Sequence, residues 1–279
     1  MQRPLASAII PTYNRGYIVC DAIESALAQG SGVEVLVADD GSTDDTAERV
    51  AGFGERVVYL RQPHRGAAEA RNLAVRSALG EYLSFLDSDD LWLPGKLDAE
   101  LELFEQMPEA DVVVTDASSW REDRQVHASW LAAKEVPIGS ERAFLLPGRS
   151  GMWLHGSRFA TCSITLRRRC LELLGSGEDL FHAELARFED WEMEIRLFRY
   201  CRIAVLPRVL SKIRRYDDGT RARMPGAEPT AEESRRDLRC EIGILEEALT
   251  LGWPEGVERK AKEKIERLSA RARGNHPRG

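Results

Sequence analysis

Short apolar runs alternate with amphipathic stretches through the first half of the chain. Residues 6–10 read as a strand and 17–29 as a helix; 33–38 with 43–52, and 56–60 with 67–79, repeat the pair. Residues 82–86 and 111–115 give a fourth and a fifth strand. The runs have strand length, and the stretches between them carry helical spacing. This alternation predicts βαβ units: an α/β fold with a mostly parallel sheet and helices on both faces. Ligands bind such sheets outside the carboxyl ends of the strands.

The pattern then changes. Residues 91–107 read as a helix, and 120–153 are irregular, with Pro137, Gly139, Pro147, Gly148 and Gly151, as in a binding loop or lid. Periodic structure resumes with a strand at 160–166, a short helix at 168–174 and an amphipathic helix at 189–200, whose Trp191, Ile195 and Phe198 share a face. Residues 204–206 form a late strand and 217–229 a linker. Thr230 and Glu233 have capping-box spacing. A helix with Leu238, Ile242, Leu245 and Leu249 follows, and Pro254 restarts a second with Val257, Ala261, Ile265 and Leu268. That last helix is basic on its other face, from Arg259 to Arg273.

Composition narrows the function classes. Hydrophobic content of 43% and charged content of 30% describe a globular protein. A net charge of -7 argues against general nucleic-acid binding, which needs a basic surface. The five cysteines are scattered without a CxxC pair, so they read as reduced thiols of a cytosolic protein, not as a zinc site or disulfide framework. No signal-peptide layout and no apolar stretch of about 18 residues is present. The absence of GxSxG, HExxH and P-loop patterns weakens hydrolase and NTPase readings.

Four polar clusters fall on one sheet edge. Pro11, Thr12, Tyr13 and Arg15 follow the first strand; Asp39 and Asp40 the second; His64 and Gly66 the third; Asp87, Ser88, Asp89 and Asp90 the fourth. Three carboxylates in four positions repel: two unit charges 4 Å apart cost about 4 kcal/mol at an effective dielectric of about 20. One reading is a divalent cation with phosphate on its far side. The other is a helix N-cap, and Asp90 is the residue that suits it. Asp40 can accept from a base imide, Tyr13 can stack on a base, and Arg15 can meet phosphate. Arg71 and Asn72 suit a strut behind the acidic loop, and Trp92 suits packing. Glu189 and Asp190 head a helix, where they serve either the helix dipole or general-base chemistry. The histidines are isolated and mark no site.

The full ordered set is Pro11-Thr12-Tyr13-Asn14-Arg15, Asp39-Asp40-Gly41-Ser42, Ala70-Arg71-Asn72, Asp87-Ser88-Asp89-Asp90 and Glu189-Asp190-Trp191. It resembles the family 2 glycosyltransferases, inverting enzymes of the GT-A fold, over roughly residues 5–215. The resemblance implies a GT-A (Rossmann-like) domain at 1–216, with a nucleotide-binding half (1–115) and an acceptor-binding half (116–216), followed by a linker and helical tail at 217–279. It implies a nucleotide-diphosphate-sugar donor, chiefly a UDP-sugar, and Mn²⁺ or Mg²⁺.

By the same resemblance, Pro11, Thr12, Tyr13, Arg15, Asp40, Asp87 and Ser88 hold the nucleotide. Asp89 ligates the metal, with Asp90 a close second choice, and Asp190, paired with Glu189, is the base. The acceptor is a glycan, a lipid-linked sugar, a protein or a small molecule. The Gly-Gly-Phe-Asp stretch common before the Glu-Asp pair is replaced by the looser Leu174-Gly175-Ser176-Gly177-Glu178, and no QxxRW motif appears. Lys212-Ile213-Arg214-Arg215-Tyr216 matches only loosely the basic stretch that follows the last core strand, so Arg214 and Arg215 carry little weight as diphosphate contacts. The expected location is the cytoplasm, with peripheral contact at the inner membrane face as an alternative. The tail packs on the core, dimerises or meets an anionic membrane, in that order of preference. The competing readings are a nucleotidyltransferase and a non-catalytic sugar-nucleotide-binding protein.

Overall fold

The computed structural model describes residues 3–30, 32–138, 142–147, 151–175, 177–185, 187–215 and 230–273. The expected linker at 217–229 lies outside them. The elements in chain order are β1 (Ala6–Thr12), α1 (Val19–Leu27), β2 (Val33–Asp39), α2 (Thr46–Ala51), β3 (Val57–Arg61), α3 (Ala67–Ser77), β4 (Tyr82–Phe85), β5 (Leu91–Trp92), α4 (Lys96–Gln106) and β6 (Val112–Arg121). Then follow β7 (Arg124–His127), α5 (Trp130–Ala133), β8 (Phe144–Leu145), β9 (Ile164–Arg167), α6 (Cys170–Leu173), α7 (Glu189–Tyr200), β10 (Ile203–Arg215), α8 (Ala231–Thr250) and α9 (Glu255–Ala272).

The sheet runs β3-β2-β1-β4-β9-β6-β10-β5. Strands β1 to β4 pair in parallel, as do β6 and β10. Strand β9 is inserted antiparallel between β4 and β6. The mostly parallel α/β reading therefore holds. Two buried clusters sandwich the sheet. One carries Ile9, Leu36 and Phe85 with α3, α7, α8 and α9; the other carries Ile10, Val37 and Leu86 with α1 and α4. Alternate residues of a strand face opposite sides, which is why Ile9 and Ile10 belong to different clusters.

Pro11 lies in a central strand without breaking a ladder. Ile9 O accepts from Leu86 N and Thr12 O accepts from Asp40 N, so odd-numbered residues of β1 face β4. The β4 pairing ends at Ile9–Phe85, and nothing there needs the amide that proline lacks.

Several expected boundaries change. The helix expected from residue 91 begins at Lys96, because Trp92 and Leu91 pair with Ser211 and Lys212 of β10 as a short strand. Asp90 therefore caps no helix. The strand expected at 111–115 continues to Arg121, and that expected at 204–206 continues to Arg215; β6 and β10 extend each other by parallel pairing. Residues 161–163 are a 3-10 turn, so the strand expected from 160 starts at Ile164. The stretch 120–153 is not uniformly irregular: it holds β7, α5, β8 and the start of a 3-10 turn at Gly151–His155.

The tail helices pack on the core. The Thr230 capping box is present in full, with Glu233 N donating to Thr230 Oγ1 at 3.1 Å and Thr230 N to Glu233 Oε2 at 2.8 Å. Ile244, Leu245, Ala248, Trp253, Ala261 and Leu268 are buried in the same cluster as Trp153 and Trp191. Among the described residues no helix is long and apolar enough to cross a membrane, and all five cysteines are free thiols.

Candidate active site

The four loops beyond β1 to β4 close around a cavity of about 560 Å³. Pro11, Thr12, Tyr13, Arg15, Asp40, Asp87, Ser88 and Asp89 all line it, so every nucleotide- and metal-site candidate read from the sequence meets there. Glu189 and Asp190 are not in its wall.

Local chemistry fixes each loop. Asn14 has φ 51°, a left-handed value that asparagine tolerates. Its amide donates to Ser42 Oγ at 2.9 Å, and its Oδ1 accepts from Thr43 N at 2.7 Å, which locks the first loop to the second. Gly41 has φ 82°, and a Cβ there would lie 3.0 Å from His64 N; only glycine lets the second and third loops approach.

Asp40 is 2% exposed. Its carboxylate accepts from Gln62 Nε2 and Arg65 N at 2.7 Å and from Gly66 N at 2.8 Å, and His64 Nδ1 lies 2.8 Å away. The His64 ring also stacks on Tyr13, centroids 4.2 Å apart. The two rings lie face to face at the cavity wall. The Thr12 hydroxyl is buried with no partner among the described residues. A buried orphan oxygen in a cavity wall is a contact waiting for a ligand.

The three carboxylates of the acidic loop have different partners. Asp87 Oδ1 accepts from Arg71 Nη2 at 2.7 Å, and Asp89 Oδ2 from Arg15 Nη1 at 3.3 Å. Asp90 points inward, accepting from Arg214 N at 3.0 Å. Burial, then Asp89 and Asp87, push the Asp90 carboxyl well above the usual carboxylate range. Arg214 supports the loop from beneath: its Nε donates to Asp89 O at 2.7 Å and its Nη1 to Asp21 at 2.6 Å. It lies in β10 and touches the acidic loop, a connection its place after 206 did not suggest.

Among the described residues no three His, Cys, Asp or Glu side chains converge as a metal cage. The carboxylates that line the cavity are Asp40, Asp87 and Asp89, and Asp40 is already held by Gln62, Arg65 N and Gly66 N. A Mg²⁺ or Mn²⁺ beside a diphosphate needs one or two protein carboxylates, with phosphate and water completing its shell. The acidic loop fits that demand.

Arg71 joins the cavity to the start of α7. It is 6% exposed, and its Nη1 donates to Glu189 Oε1 at 3.0 Å while Nη2 holds Asp87. Burial works against the guanidinium charge, but Asp87 and Glu189 outweigh it and hold the pKa above the usual range. Its neighbour Asn72 bonds Phe181 N and O at 2.9 and 2.7 Å, fixing the segment that leads to α7. The strut reading therefore holds for Arg71, over a reach that spacing alone could not show; Asn72 holds Phe181 instead of the acidic loop. Phe188, at φ 68°, turns the chain into α7 in a conformation costly for a bulky residue, and its ring packs edge-on against Trp191.

Asp190 Oδ1 accepts from Trp191 N at 2.8 Å, inside the first turn of α7. Burial, then the Glu189 charge, push the Asp190 carboxyl above its ordinary range against the pull of Trp191 N and Arg71. One turn on, Glu194 accepts from Ser157, Arg158 N and Phe159 N inside the core, and burial pushes its pKa up to about 8. A carboxylate with a raised pKa at the head of a helix, tied through Glu189 and Arg71 to the acidic loop, can take a proton.

The chain matches the model of Glycosyl transferase family 2 over residues 7–172, more than half of its length. An uncharacterised glycosyltransferase of Rickettsia prowazekii is 28% identical over 214 residues, 76% of this chain and 64% of that protein. A Rickettsia conorii relative is equally similar, and the chain spans 34% of its length. A UDP-Glc:alpha-D-GlcNAc-diphosphoundecaprenol beta-1,3-glucosyltransferase of Escherichia coli is 39% identical over 102 residues, 36% of this chain and 40% of that one. Among solved structures, S. aureus TarS 1-349 in complex with UDP-GlcNAc shares the fold at TM-score 0.65 and 20% identity, over 96% of this chain and 72% of that one. The mannosyltransferase PcManGT of Pyrobaculum calidifontis, in complex with GDP-Man and Mn²⁺, does so at TM-score 0.60 and 18% identity, over 99% of this chain and 77% of that one. With the fold, the motif order and the family match in agreement, the chain belongs to glycosyl transferase family 2 and has the GT-A fold.

Proposed function

We propose that the protein transfers a sugar from a nucleotide-diphosphate sugar, a UDP-sugar in the first instance, to an acceptor hydroxyl with inversion. The observation that carries this is the convergence of Thr12, Tyr13, Arg15, Asp40, Asp87, Ser88 and Asp89 on one cavity. The Tyr13–His64 wall takes the base, Asp40 and its hydrogen-bonded loop set the base edge, and the Thr12 hydroxyl supplies a further contact. Asp87 lies toward the ribose, and Asp89 holds Mn²⁺ or Mg²⁺ against the diphosphate. When bound, that metal neutralises charge on the leaving diphosphate. Arg15 lies beside Asp89, placed to meet phosphate.

Asp190 is the general base. It takes the proton of the acceptor hydroxyl as that oxygen attacks the anomeric carbon from the face opposite the diphosphate. Its raised pKa suits this role, since a stronger base accepts the proton more readily. Glu189, held by Arg71, keeps the head of α7 in register with the acidic loop. The relatives support the class: one is a UDP-Glc-dependent glucosyltransferase by name, and solved neighbours hold UDP-GlcNAc, or GDP-Man with Mn²⁺.

A thermal-shift panel of UDP-, GDP- and dTDP-sugars with and without Mn²⁺ tests the reading. A ligand at 100-fold its Kd stabilises by about 2.7 kcal/mol, a visible shift. The expected result is a metal-dependent shift with one nucleotide class. No shift with any nucleotide contradicts the proposal and favours a scaffold role.

A further inference from the structure

The helical hairpin of α8 and α9 gathers positive charge at one end. Lys264 Nζ of α9 meets Glu241 Oε1 of α8 at 2.8 Å, and the turn between the helices spans only residues 251–254. The helices therefore run antiparallel, and the first turns of α8 lie beside the last turns of α9. That end carries six arginines: Arg235, Arg236 and Arg239 from α8, with Arg267, Arg271 and Arg273 from the end of α9. At a rise of about 1.5 Å per residue, Arg235 stands about 9 Å from Glu241 along α8, and Arg271 about 11 Å from Lys264 along α9, so the two rows reach the same level. All six are exposed, and none forms an ion pair among the described residues.

The carboxylates of these turns are few and mostly held elsewhere. Asp237 holds Arg187 at 3.0 Å, Glu241 holds Lys264, and Glu233 closes the Thr230 capping box. Glu232 and Glu266 are the others, and from Arg267 onward the sequence contains no Asp or Glu. The whole chain has a net charge of -7, so the six arginines are a local excess on an otherwise acidic protein.

Helix stability does not account for the arrangement. Arg235 with Arg239, and Arg267 with Arg271, are like charges at i,i+4, a spacing that destabilises a helix. The first half of α9 does the opposite, pairing Arg259 with Glu263 at i,i+4 and 2.8 Å. Arg271 and Arg273 suit the C-terminal end of a helix dipole, but the arginines of α8 stand in its N-terminal half, where the dipole offers them nothing.

The chemistry of the patch selects its occupant. Guanidinium groups fork onto phosphate oxygens and stay charged at every physiological pH. Two packed helices carry them in two rows, which suits a flat array of phosphates. Among the described residues no large hydrophobic side chain of α8 or α9 is exposed, and Trp253 is buried. The patch therefore has neither a ring to stack on a nucleic-acid base nor a wedge to enter acyl chains.

We propose that the arginine-rich end of the hairpin docks on a bilayer that bears anionic phospholipids, held by electrostatic attraction without insertion. The acidic remainder of the chain is repelled by the same surface, so docking fixes which end of the protein meets it. The proposal stands on the hairpin alone and does not depend on the glycosyl-transfer reading.

The test is co-sedimentation of the full chain with vesicles in EDTA, which prevents metal bridging between carboxylates and lipid phosphate. Vesicles of phosphatidylcholine alone are compared with vesicles holding about 30% phosphatidylglycerol. The expected result is binding to the anionic vesicles only, lost as NaCl rises from about 0.1 to about 0.5 M. Arg235→Gln/Arg236→Gln/Arg239→Gln and Arg267→Gln/Arg271→Gln/Arg273→Gln remove the two rows separately. Each charge is expected to contribute about fivefold, so either triple weakens binding at least about tenfold, with the melting curve in place because all six side chains are exposed. Arg121→Gln/Arg124→Gln, exposed on the β6–β7 hairpin, keeps wild-type binding. No binding to the anionic vesicles, or equal binding to the neutral ones, overturns the proposal. So does either triple that binds like the wild type, or an equal loss in Arg121→Gln/Arg124→Gln, which would make the effect one of net charge. Binding of a DNA duplex without binding of vesicles assigns the patch to nucleic acid and overturns it as well.

Discussion

Arg71 and Glu189 are 118 positions apart and bond at 3.0 Å, and the same guanidinium holds Asp87 at 2.7 Å. One buried side chain thus ties the acidic loop to the helix that carries Asp190. Removing it leaves two partly buried carboxylates without a counter-charge. Arg71→Met is expected to cost about 3 kcal/mol of stability in urea unfolding, and to lower turnover as well. Arg71→Lys restores little, because one ammonium cannot reproduce a fork aimed at two carboxylates. A variant as stable and as active as the wild type would mean that the bridge positions nothing.

Asp190→Asn keeps the shape of the side chain and its acceptor oxygen toward Trp191 N, and removes the base. Turnover is expected to fall by about 10²- to 10⁴-fold, with donor affinity unchanged within about twofold. Steady-state kinetics beside equilibrium titration of the donor separates the two. Near wild-type turnover sinks the assignment.

His64 shows what spacing could not. An isolated histidine carries no signal in the sequence, yet the fold places it against both Tyr13 and Asp40. Its side chain is 59% exposed, so His64→Ala is expected to leave the melting temperature within about a degree. Nucleotide affinity is expected to fall several-fold, about 1 kcal/mol, through loss of the stacked wall. Equal nucleotide affinity in the variant would remove His64 from the site.

The parts legible in the sequence are those written locally. Strand–helix alternation gave the α/β sheet, and Asp40, Asp87 and Asp89 announced themselves by standing directly after apolar runs. The Thr230–Glu233 box and the helix from Glu189 to Tyr200 were readable from spacing, and the structure keeps both. What spacing hid depends on distant pairing. Leu91–Trp92 becomes a strand because β10 passes beside it, which moves the helix start and deprives Asp90 of a capping role. Asp90 instead meets the backbone of Arg214, 124 positions away. Arg214, of low weight as a diphosphate contact, is a loop support for the same reason. Arg158 sits in a stretch without periodicity, and only the docking of α9 makes a cavity around it.

Glu194 gives the protein a pH signature. Its folded pKa, about 8, is raised from an ordinary 4.5 by burial. Below about pH 4.5 folded and unfolded chains both hold the proton and the contribution is complete. Above that the unfolded chain releases it first, so stability falls as pH rises through about 8. The loss is at most about 5 kcal/mol, at about 1.36 kcal/mol for each pH unit between the unfolded and folded values. Melting curves between pH 5 and 8 are expected to fall more steeply in the wild type than in Glu194→Gln. Parallel curves would show that this carboxyl stays ionised in the fold.

Calorimetric titration of UDP in Mn²⁺ and in EDTA, for the wild type and Asp89→Ala, tests the donor site most directly. The account predicts binding at least about tenfold tighter with Mn²⁺ in the wild type, and no metal dependence in Asp89→Ala. Equal affinity in Mn²⁺ and EDTA for the wild type, or a metal effect that survives Asp89→Ala, would contradict it.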